Sequence, residues 1–297
     1  MNRRGFLVAA ASTAVVAACG GGDSEAADTV VPGPDLDDDF LLLQAGFADG
    51  LRFPSTIASG SPQRAPFIFF GGDGLPAVNG VPDEVEMLVT DPEGAAQTFI
   101  ATRHDAGIPT PHYPLEFVPG TAGSYMVEVD VGGDIQQVEF LVAQPSNVPL
   151  VAPGDDLRIV DTPTFDDPRG YDPICTRFEP CPFHDVNLRD AIGNGLPTAL
   201  MIATPGFCRT AICGPVVELL IDLDPTEMNV VHGEIFTEPE RLDEVNDFTT
   251  LVGPIVQTYQ MDFEPSFVVA DAGGLVKARL DFAFDRTEMA EALAKVS

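Results

Sequence analysis

A run of prolines and aspartates near the middle of the sequence divides the chain into two halves. Between residues 146 and 171 these residue types recur at short intervals, at Pro149, Pro153, Asp155, Asp156, Asp161, Pro163, Asp166, Asp167 and Pro168. Proline lacks a backbone N–H and fixes its own φ, so such a segment disfavours helices and central strands. We therefore expect residues 146–171 to link one domain at 40–145 to a second at 172–297.

The composition is that of a folded protein with a strongly acidic surface. The 297 residues include 46 acidic and 15 basic side chains, a net charge of −31, and 45% are hydrophobic. That hydrophobic content excludes a disordered acidic tail protein. The scarcity of lysine and arginine excludes a nucleic-acid-binding protein, because contacts to phosphates need clustered basic side chains.

The N-terminus has the parts of a bacterial export signal. Arg3 and Arg4 precede an apolar stretch, Phe6–Val16, of signal-peptide length. The residues Val16-Ala17-Ala18-Cys19 resemble the lipobox of lipoproteins, and Asn2–Leu7 resembles the twin-arginine export motif. This resemblance implies a signal peptide at residues 1–19, a lipid on Cys19 and an anchor on the extracytoplasmic face of the cell membrane. The Gly-, Asp- and Pro-rich residues 20–39 are then a flexible acidic tether.

The first half consists of short apolar runs separated by Gly, Pro and Asp. The candidate strands are Arg64–Phe70, Glu84–Val89, Ala96–Thr102, Leu115–Val118, Gly123–Val131 and Gln136–Ala143. Apolar and polar residues alternate most clearly in Tyr125–Val131. Regular short strands with turn signals predict an all-β antiparallel sandwich.

The segment Pro119–Tyr125 resembles the corner before a late strand of immunoglobulin-like domains, where a tyrosine bonds back to the backbone. The resemblance implies an immunoglobulin-like sandwich that serves as a binding or spacing module. His104 and His112 lie in a loop-rich stretch without a Cys or carboxylate cluster nearby. We expect them to be packed or solvated rather than metal ligands.

The second half alternates helical and strand patterns. The predicted order is helix Val186–Ile192, strand Thr198–Thr204, helix Pro215–Asp222, strand Asn229–Phe236, helix Val245–Tyr259, strands Pro265–Ala270 and Leu275–Phe282, and helix Thr287–Val296 capped by Thr287. Thr198–Thr204 is a continuous apolar run of the kind found in buried strands. This order predicts an α/β domain with parallel strands first and a closing hairpin.

Three motifs in the second half resemble thioredoxin-like proteins, in particular the extracytoplasmic TlpA-like and redoxin members. Cys213-Gly214-Pro215 follows the first buried strand, Pro265 precedes the hairpin, and Val268–Val276 resembles the family's strand–turn–strand hairpin. The likeness covers roughly residues 172–297. It implies a thioredoxin-like fold, thiol–disulfide exchange without a bound cofactor, and a cis-proline at Pro265 beside the reactive sulfur.

The pattern departs from the Cys-x-x-Cys of thioredoxins, because Val216 stands where the second cysteine would be. The nearby partner of Cys213 is Cys208, which lies upstream in a C-x4-C pair with four residues between the two cysteines. The predicted reactive site therefore comprises Cys208, Cys213 and Pro265. A helix N-terminus at Cys213 favours a thiolate there, and the sequence leaves open which of the two sulfurs attacks.

Three functions fit these residues. The first is a membrane-anchored extracytoplasmic thiol–disulfide oxidoreductase, whose partners are exported thiol or disulfide proteins or a membrane redox protein. The second is a binding lipoprotein in which Cys208–Cys213 is only a disulfide staple. The third, a thiol peroxidase, rests on a resemblance of Thr204–Cys208 and Cys213 to peroxiredoxins, but Pro265 stands where those enzymes keep an arginine.

Cys175 and Cys181 form a second close pair in a Pro-rich loop. With Cys19 lipidated, four cysteines remain, and we predict local disulfides, Cys175 with Cys181 and Cys208 with Cys213. An alternative is that an upstream cysteine relays electrons to the C-x4-C pair.

Cys181 and His184 are a sulfur and an imidazole of the kind that bind Cu(I) or Zn. No second ligand pair has metal-site spacing, so no metal is predicted. His232 is expected to be a core histidine, and Glu264 either tunes the thiol as a proton acceptor or is a solvated loop residue.

Overall fold

The computed structural model describes residues 41–46, 56–208 and 211–296. Within these residues the chain is rich in β-structure, with eleven strands and four α-helices. The predicted signal peptide with Cys19 and the predicted tether lie outside the described residues. None of the described helices is long and apolar enough to cross a membrane.

The first half contains seven strands in two antiparallel sheets. They are β1 (Leu41–Ala45), β2 (Gln63–Gly71), β3 (Glu84–Thr90), β4 (Ala96–Thr102), β5 (Tyr113–Phe117), β6 (Gly123–Val131) and β7 (Asp134–Val142). One sheet has the order β1-β2-β5 and the other β4-β3-β6-β7. The predicted bounds of β4 and β6 are confirmed, whereas β1 is not predicted from the sequence.

Alternation along the strands explains why these sheets share one hydrophobic core. In β3, Val85, Met87 and Val89 are buried while the residues between them are exposed. Phe67 of β2 and Phe140 of β7 meet edge to face, with 6.1 Å between ring centroids, so the core joins the two sheets. At the predicted corner, the Tyr125 hydroxyl donates to the Thr121 carbonyl oxygen at 3.0 Å.

The second half contains a four-stranded mixed sheet with helices. Its elements are α1 (Leu188–Ala191), β8 (Thr198–Ile202), α2 (Cys213–Leu223), β9 (Asn229–Gly233), α3 (Pro254–Tyr259), β10 (Ser266–Ala270), β11 (Val276–Asp281) and α4 (Arg286–Ala294). The strand order is β11-β10-β8-β9, and β8 is parallel to β9 but antiparallel to β10. Every residue of β8 and β10 is buried. The continuous apolar run at the start of this half therefore is a central strand, as predicted.

Two helices of the second half differ from the predicted ones. The predicted helix Val245–Tyr259 is instead a 3₁₀ turn at Phe248–Leu251 followed by α3, which begins at Pro254. Proline cannot donate to the preceding turn, so it starts a helix rather than continuing one. The last helix is capped by Asp285, not by Thr287. The Asp285 carboxylate accepts from the backbone N–H groups of Thr287 and Glu288 in a capping box.

The Pro- and Asp-rich segment 146–171 packs against the second half. As predicted, it contains no helix or strand beyond a 3₁₀ turn at Pro145–Asn147. Its backbone nevertheless pairs with the hairpin, where the Leu157 N–H donates to the Gly274 carbonyl oxygen at 2.8 Å. Four of its apolar side chains are buried in the core beneath the sheet; they are Leu150, Val151, Leu157 and Val160. Burial of these side chains holds a segment that has no secondary structure of its own.

Candidate functional site

Cys208 and Cys213 form a disulfide at the start of α2, as the sequence predicts. Cys213 is the first helical residue and is fully buried, while Cys208 precedes the helix and is half-buried. The first N–H groups of a helix have no partner within it, so their dipoles favour negative charge at this end. A thiolate released at Cys213 would therefore be stabilised by the helix.

Two neighbouring residues, Glu264 and Pro265, complete this site. The Glu264–Pro265 peptide bond is cis, and Pro265 immediately precedes β10. A carboxylate oxygen of Glu264 and the sulfurs of Cys208 and Cys213 all lie within 4.8 Å of one another. The structure thus brings Cys208 and Cys213 together with Glu264, the residue that precedes Pro265.

The buried position of Glu264 explains why its pKa is raised. Burial raises the pKa of Glu264 to about 7, although the Thr204 N–H donates to its Oε2 at 2.7 Å and partly offsets this effect. A carboxyl group with a pKa near neutrality can both accept and donate a proton at the pH where thiols exchange. Glu264 is therefore placed to move a proton to or from the disulfide sulfurs.

A second cluster of sulfur and nitrogen atoms lies in the same half. Cys175, Cys181, His184 and His232 are all buried, and one ligand atom from each lies within 4.8 Å of the others. The loop 175–184 supplies three of these residues and β9 supplies His232. Cys175 and Cys181 are free thiols, so the predicted disulfide between them is not formed.

Hydrogen bonds decide which imidazole nitrogens carry protons. His232 Nε2 lies 3.0 Å from the Ala203 carbonyl oxygen, and His184 Nδ1 lies 3.5 Å from that of Pro163. A carbonyl only accepts, so these two nitrogens are the N–H donors. In the neutral rings the lone pairs then belong to His232 Nδ1 and His184 Nε2. Burial opposes protonation of His232, but its hydrogen bond with Cys175 outweighs this effect and raises its pKa.

Those two nitrogens are the ones available to the cluster. His232 Nδ1 lies 3.3 Å from Cys181 Sγ and 3.8 Å from Cys175 Sγ. His184 Nε2 is buried without a hydrogen-bond partner among the described residues. The cluster therefore presents two lone pairs and two sulfurs at one point.

Of the two thiols in this cluster, one ionises more readily than the other. The hydrogen bond between them lowers the pKa of Cys175 and raises that of Cys181. The Cys181 backbone N–H also donates to Cys175 Sγ at 3.4 Å. Such N–H···S bonds stabilise negative charge on sulfur, so Cys175 is the thiolate of the pair.

Thr176 connects the two sulfur sites. Its backbone N–H and hydroxyl both donate to the buried Glu234 Oε1, at 2.6 and 2.9 Å. Its hydroxyl oxygen accepts from the Gly206 N–H at 3.0 Å, and Gly206 lies two residues before Cys208. A side chain at position 206 would clash, because a Cβ there would be 2.6 Å from the Thr176 carbonyl oxygen.

The histidines of the first half belong to a third, charged cluster. His104 Nδ1 lies 3.2 Å from Asp285 Oδ1, and His112 Nε2 lies 2.8 Å from Glu288 Oε2. Arg64 Nε donates to Glu288 Oε1 at 2.5 Å. The two histidines are packed, as predicted, but they contact carboxylates that the sequence places at the far end of the chain.

The sequence does not predict that the thiols of Cys175 and Cys181 and the imidazoles of His184 and His232 converge in one cluster. The spacing of Cys181 and His184 was its one local signal, and His232 was assigned to the core. Chemically, the described residues offer a disulfide beside an acid and a convergent set of soft donors. No protein-family model matches the chain, and no curated protein matches it.

Proposed function

We propose that the protein is a membrane-anchored extracytoplasmic thiol–disulfide oxidoreductase that reacts through Cys208 and Cys213. The observation that carries this proposal is the disulfide at the N-terminus of α2, with cis-Pro265 adjoining Glu264, which lies within 4.8 Å of both sulfurs. A structural staple would need neither the acid nor the helix terminus. Its partners would be exported proteins with dithiols or disulfides, or a redox protein of the membrane.

The proposal includes a thioredoxin-like fold for residues 172–297. The order β8-α2-β9-α3-β10-β11-α4 and the sheet order β11-β10-β8-β9 support it, since they are the order and pairing of a minimal thioredoxin-like domain. An immunoglobulin-like fold for residues 40–145 is supported by the two antiparallel sheets and by the bond from Tyr125 to Thr121. Under this proposal the first half is a spacer or binding module.

Exposure assigns the roles of the two sulfurs in the reaction. Cys208 is half-buried beside Phe207, whose side chain is 40% exposed, whereas Cys213 is fully buried. A substrate thiolate can therefore attack Cys208 Sγ, and the bond to Cys213 breaks as Cys213 leaves as a thiolate. A second substrate thiolate then attacks the substrate sulfur of the mixed disulfide and releases Cys208. Two electrons pass from the substrate dithiol to the protein disulfide.

Glu264 exchanges a proton with Cys213 in this cycle. When Cys213 leaves, the protonated carboxyl group can donate to its thiolate. In the reverse direction the carboxylate accepts the Cys213 proton as this sulfur attacks Cys208 in the mixed disulfide. Its pKa of about 7 suits both directions.

The test is a redox titration of the protein in which each cysteine is followed by alkylation and mass spectrometry. We expect Cys208 and Cys213 to titrate together with a potential between about −120 and −270 mV, the range of exchanging dithiols. A bond that stays oxidised below about −300 mV would identify a structural staple and favour a binding lipoprotein.

Trapping of mixed disulfides tests the assigned roles. In Cys213→Ser the accessible Cys208 thiol should accumulate a mixed disulfide with a disulfide-containing peptide. Cys208→Ser is the matched control, because its thiols at Cys213, Cys175 and Cys181 are buried and should trap at least about tenfold less. Equal trapping by both variants would contradict the assignment. Rapid consumption of peroxide lost in Cys208→Ser would instead indicate a peroxidase.

A further inference from the structure

We propose that Cys175, Cys181, His184 and His232 form a closed tetrahedral zinc site. The proposal is independent of the exchange assigned to Cys208 and Cys213. It rests on the convergence of four buried donors, on the hydrogen bonds that orient the imidazoles, and on the net charge of the resulting complex.

The distances fit a tetrahedral ion. With Zn–S near about 2.3 Å and Zn–N near about 2.05 Å, a tetrahedral angle separates a sulfur ligand from a nitrogen ligand by about 3.6 Å. His232 Nδ1 lies 3.3 and 3.8 Å from the sulfurs of Cys181 and Cys175, on either side of this value. Ligand atoms of all four residues lie within 4.8 Å of one another, so small side-chain adjustments would complete the coordination.

Outer hydrogen bonds already hold the ligands in metal-binding form. Metal-ligating histidines ordinarily donate their other ring N–H to a carbonyl or carboxylate, which fixes the tautomer. Here the Ala203 and Pro163 carbonyls take that role for His232 and His184. The unpartnered, buried His184 Nε2 is the atom that most needs a ligand, because a buried polar atom without a partner costs free energy.

Because the site is buried, a divalent ion such as Zn²⁺ is favoured over the monovalent Cu(I). All four side chains are buried, and an uncompensated charge at such a position is costly. Two thiolates, two neutral imidazoles and Zn²⁺ sum to zero charge, whereas Cu(I) would leave one negative charge. The site is also closed, with four protein ligands, which is the arrangement of structural rather than catalytic zinc.

The proposed site holds the loop that leads to the reactive disulfide. Thr176 follows the ligand Cys175 and accepts the Gly206 N–H, two residues before Cys208. Ligation would also explain why Cys175 and Cys181 are free thiols in a chain whose other two described cysteines are joined. Zinc would thus connect the loop 175–184, β9 and the loop before α2.

The experiment measures zinc binding to the full chain with Cys208–Cys213 oxidised. The protein is stripped with a chelator under anaerobic conditions and titrated with zinc chloride against a chromophoric competitor. We expect about one zinc ion per chain and, with cobalt(II) as a probe, the absorption of tetrahedral thiolate coordination. Zinc affinity in Cys181→Ser should fall by more than about 100-fold, the upper end of what loss of an outer-shell partner costs.

The matched control is the double variant Cys208→Ser with Cys213→Ser, which removes the other two described cysteines and should keep full zinc binding. If Cys181→Ser fails to fold, the unmodified protein still decides, because its melting temperature should drop on chelation and recover with zinc. Absence of zinc binding by the folded protein with Cys175 and Cys181 reduced and Cys208–Cys213 oxidised would overturn the proposal. Loss of zinc in the double variant, or retention of Cu(I) but not zinc, would also overturn it.

Discussion

Two buried histidine clusters in this protein differ in how their charges are balanced. In the first, which we call the junction network, Arg64, His104, His112, Asp285 and Glu288 join the two halves of the chain. In the second, the thiol–imidazole cluster of Cys175, Cys181, His184 and His232, two thiols and two imidazoles converge, and the buried carboxyl group of Glu234 lies nearby.

The difference shows how a structural cluster is distinguished from a ligand site. His104, His112 and Glu288 also have atoms within 4.8 Å of one another, so distance alone would make them a metal site. Arg64, however, already bonds to Glu288 and its Nη2 lies 3.1 Å from His112 Nε2. A metal cation there would face a fixed positive charge. The thiol–imidazole cluster has only lone pairs and sulfurs to offer.

Glu288→Gln should break the junction network and give the largest loss of stability. Burial alone would raise the pKa of Glu288, but Arg64 and the hydrogen bond with His112 outweigh it and hold this pKa below its usual range. The side chains of Arg64 and Glu288 are only 12% and 7% exposed. Removing one partner of a buried pair leaves the other uncompensated, so we expect a loss of about 3–5 kcal/mol in the free energy of unfolding.

Denaturant unfolding measures this loss, and Glu291→Gln on the exposed face of the same helix is the control, with an expected change within about 0.5 kcal/mol. A loss in Glu288→Gln no larger than in the control would mean that the network adds nothing to stability.

Chelation of zinc from the thiol–imidazole cluster should destabilise the protein by less than the Glu288→Gln substitution does. At a free zinc concentration 100 times the dissociation constant, the metal stabilises the folded state by about 2.7 kcal/mol. The two clusters share no residue, so the stabilisation by zinc should be the same in the unmodified protein and in Glu288→Gln, within about 0.5 kcal/mol. A zinc effect that disappears in Glu288→Gln would show that the clusters are coupled.

The junction network should also make stability depend on pH. The hydrogen bond with Asp285 raises the pKa of His104 above its ordinary value of 6.5, against the opposing effect of burial. A group with a raised pKa in the folded state contributes stability below its unfolded pKa and loses it as pH rises through the folded value. His104→Gln should therefore cost most near pH 5, by about 1–2 kcal/mol for a charged hydrogen bond.

Denaturant unfolding of the unmodified protein and of His104→Gln between about pH 5 and 9 measures this pH dependence, since the unperturbed histidine pKa lies inside that range. The difference between their free energies of unfolding should become smaller as the pH increases. A difference that grows with pH would reverse the sign and contradict the assigned ion pair.

Glu264→Gln should leave both clusters intact and change only the exchange reaction. Above pH 7 the Glu264 carboxylate, whose pKa is about 7, can accept the Cys213 proton in the reducing direction. The rate ratio of unmodified protein to variant should therefore be near unity at low pH and rise several-fold through about pH 7. Single-turnover reduction of a peptide disulfide measures it, and a flat ratio would exclude Glu264 as the proton acceptor.

Local patterns predicted much of the secondary structure and the first of the two sulfur sites. The strands Ala96–Thr102 and Gly123–Val131 have their predicted bounds because apolar and turn-forming residues mark both ends. Cys208 and Cys213 pair because they are five positions apart in the sequence, and Cys213 is the first residue of α2. Helix ends were less predictable, since Asp285 and Thr287 are both acceptable caps and only the capping bonds distinguish them.

The thiol–imidazole cluster shows what tertiary structure decided. Two helices, α1 and α2, and the strand β8 lie between Cys181 and His232 in the chain, and the approach of His232 depends on the parallel pairing of β9 with β8. The sequence by itself determined which segments form strands and helices and which cysteines are neighbours, because these depend on local backbone preferences. Which distant lone pairs and charges meet depends on sheet order and core packing. These are set by burial of apolar surface over the whole chain and leave no local pattern.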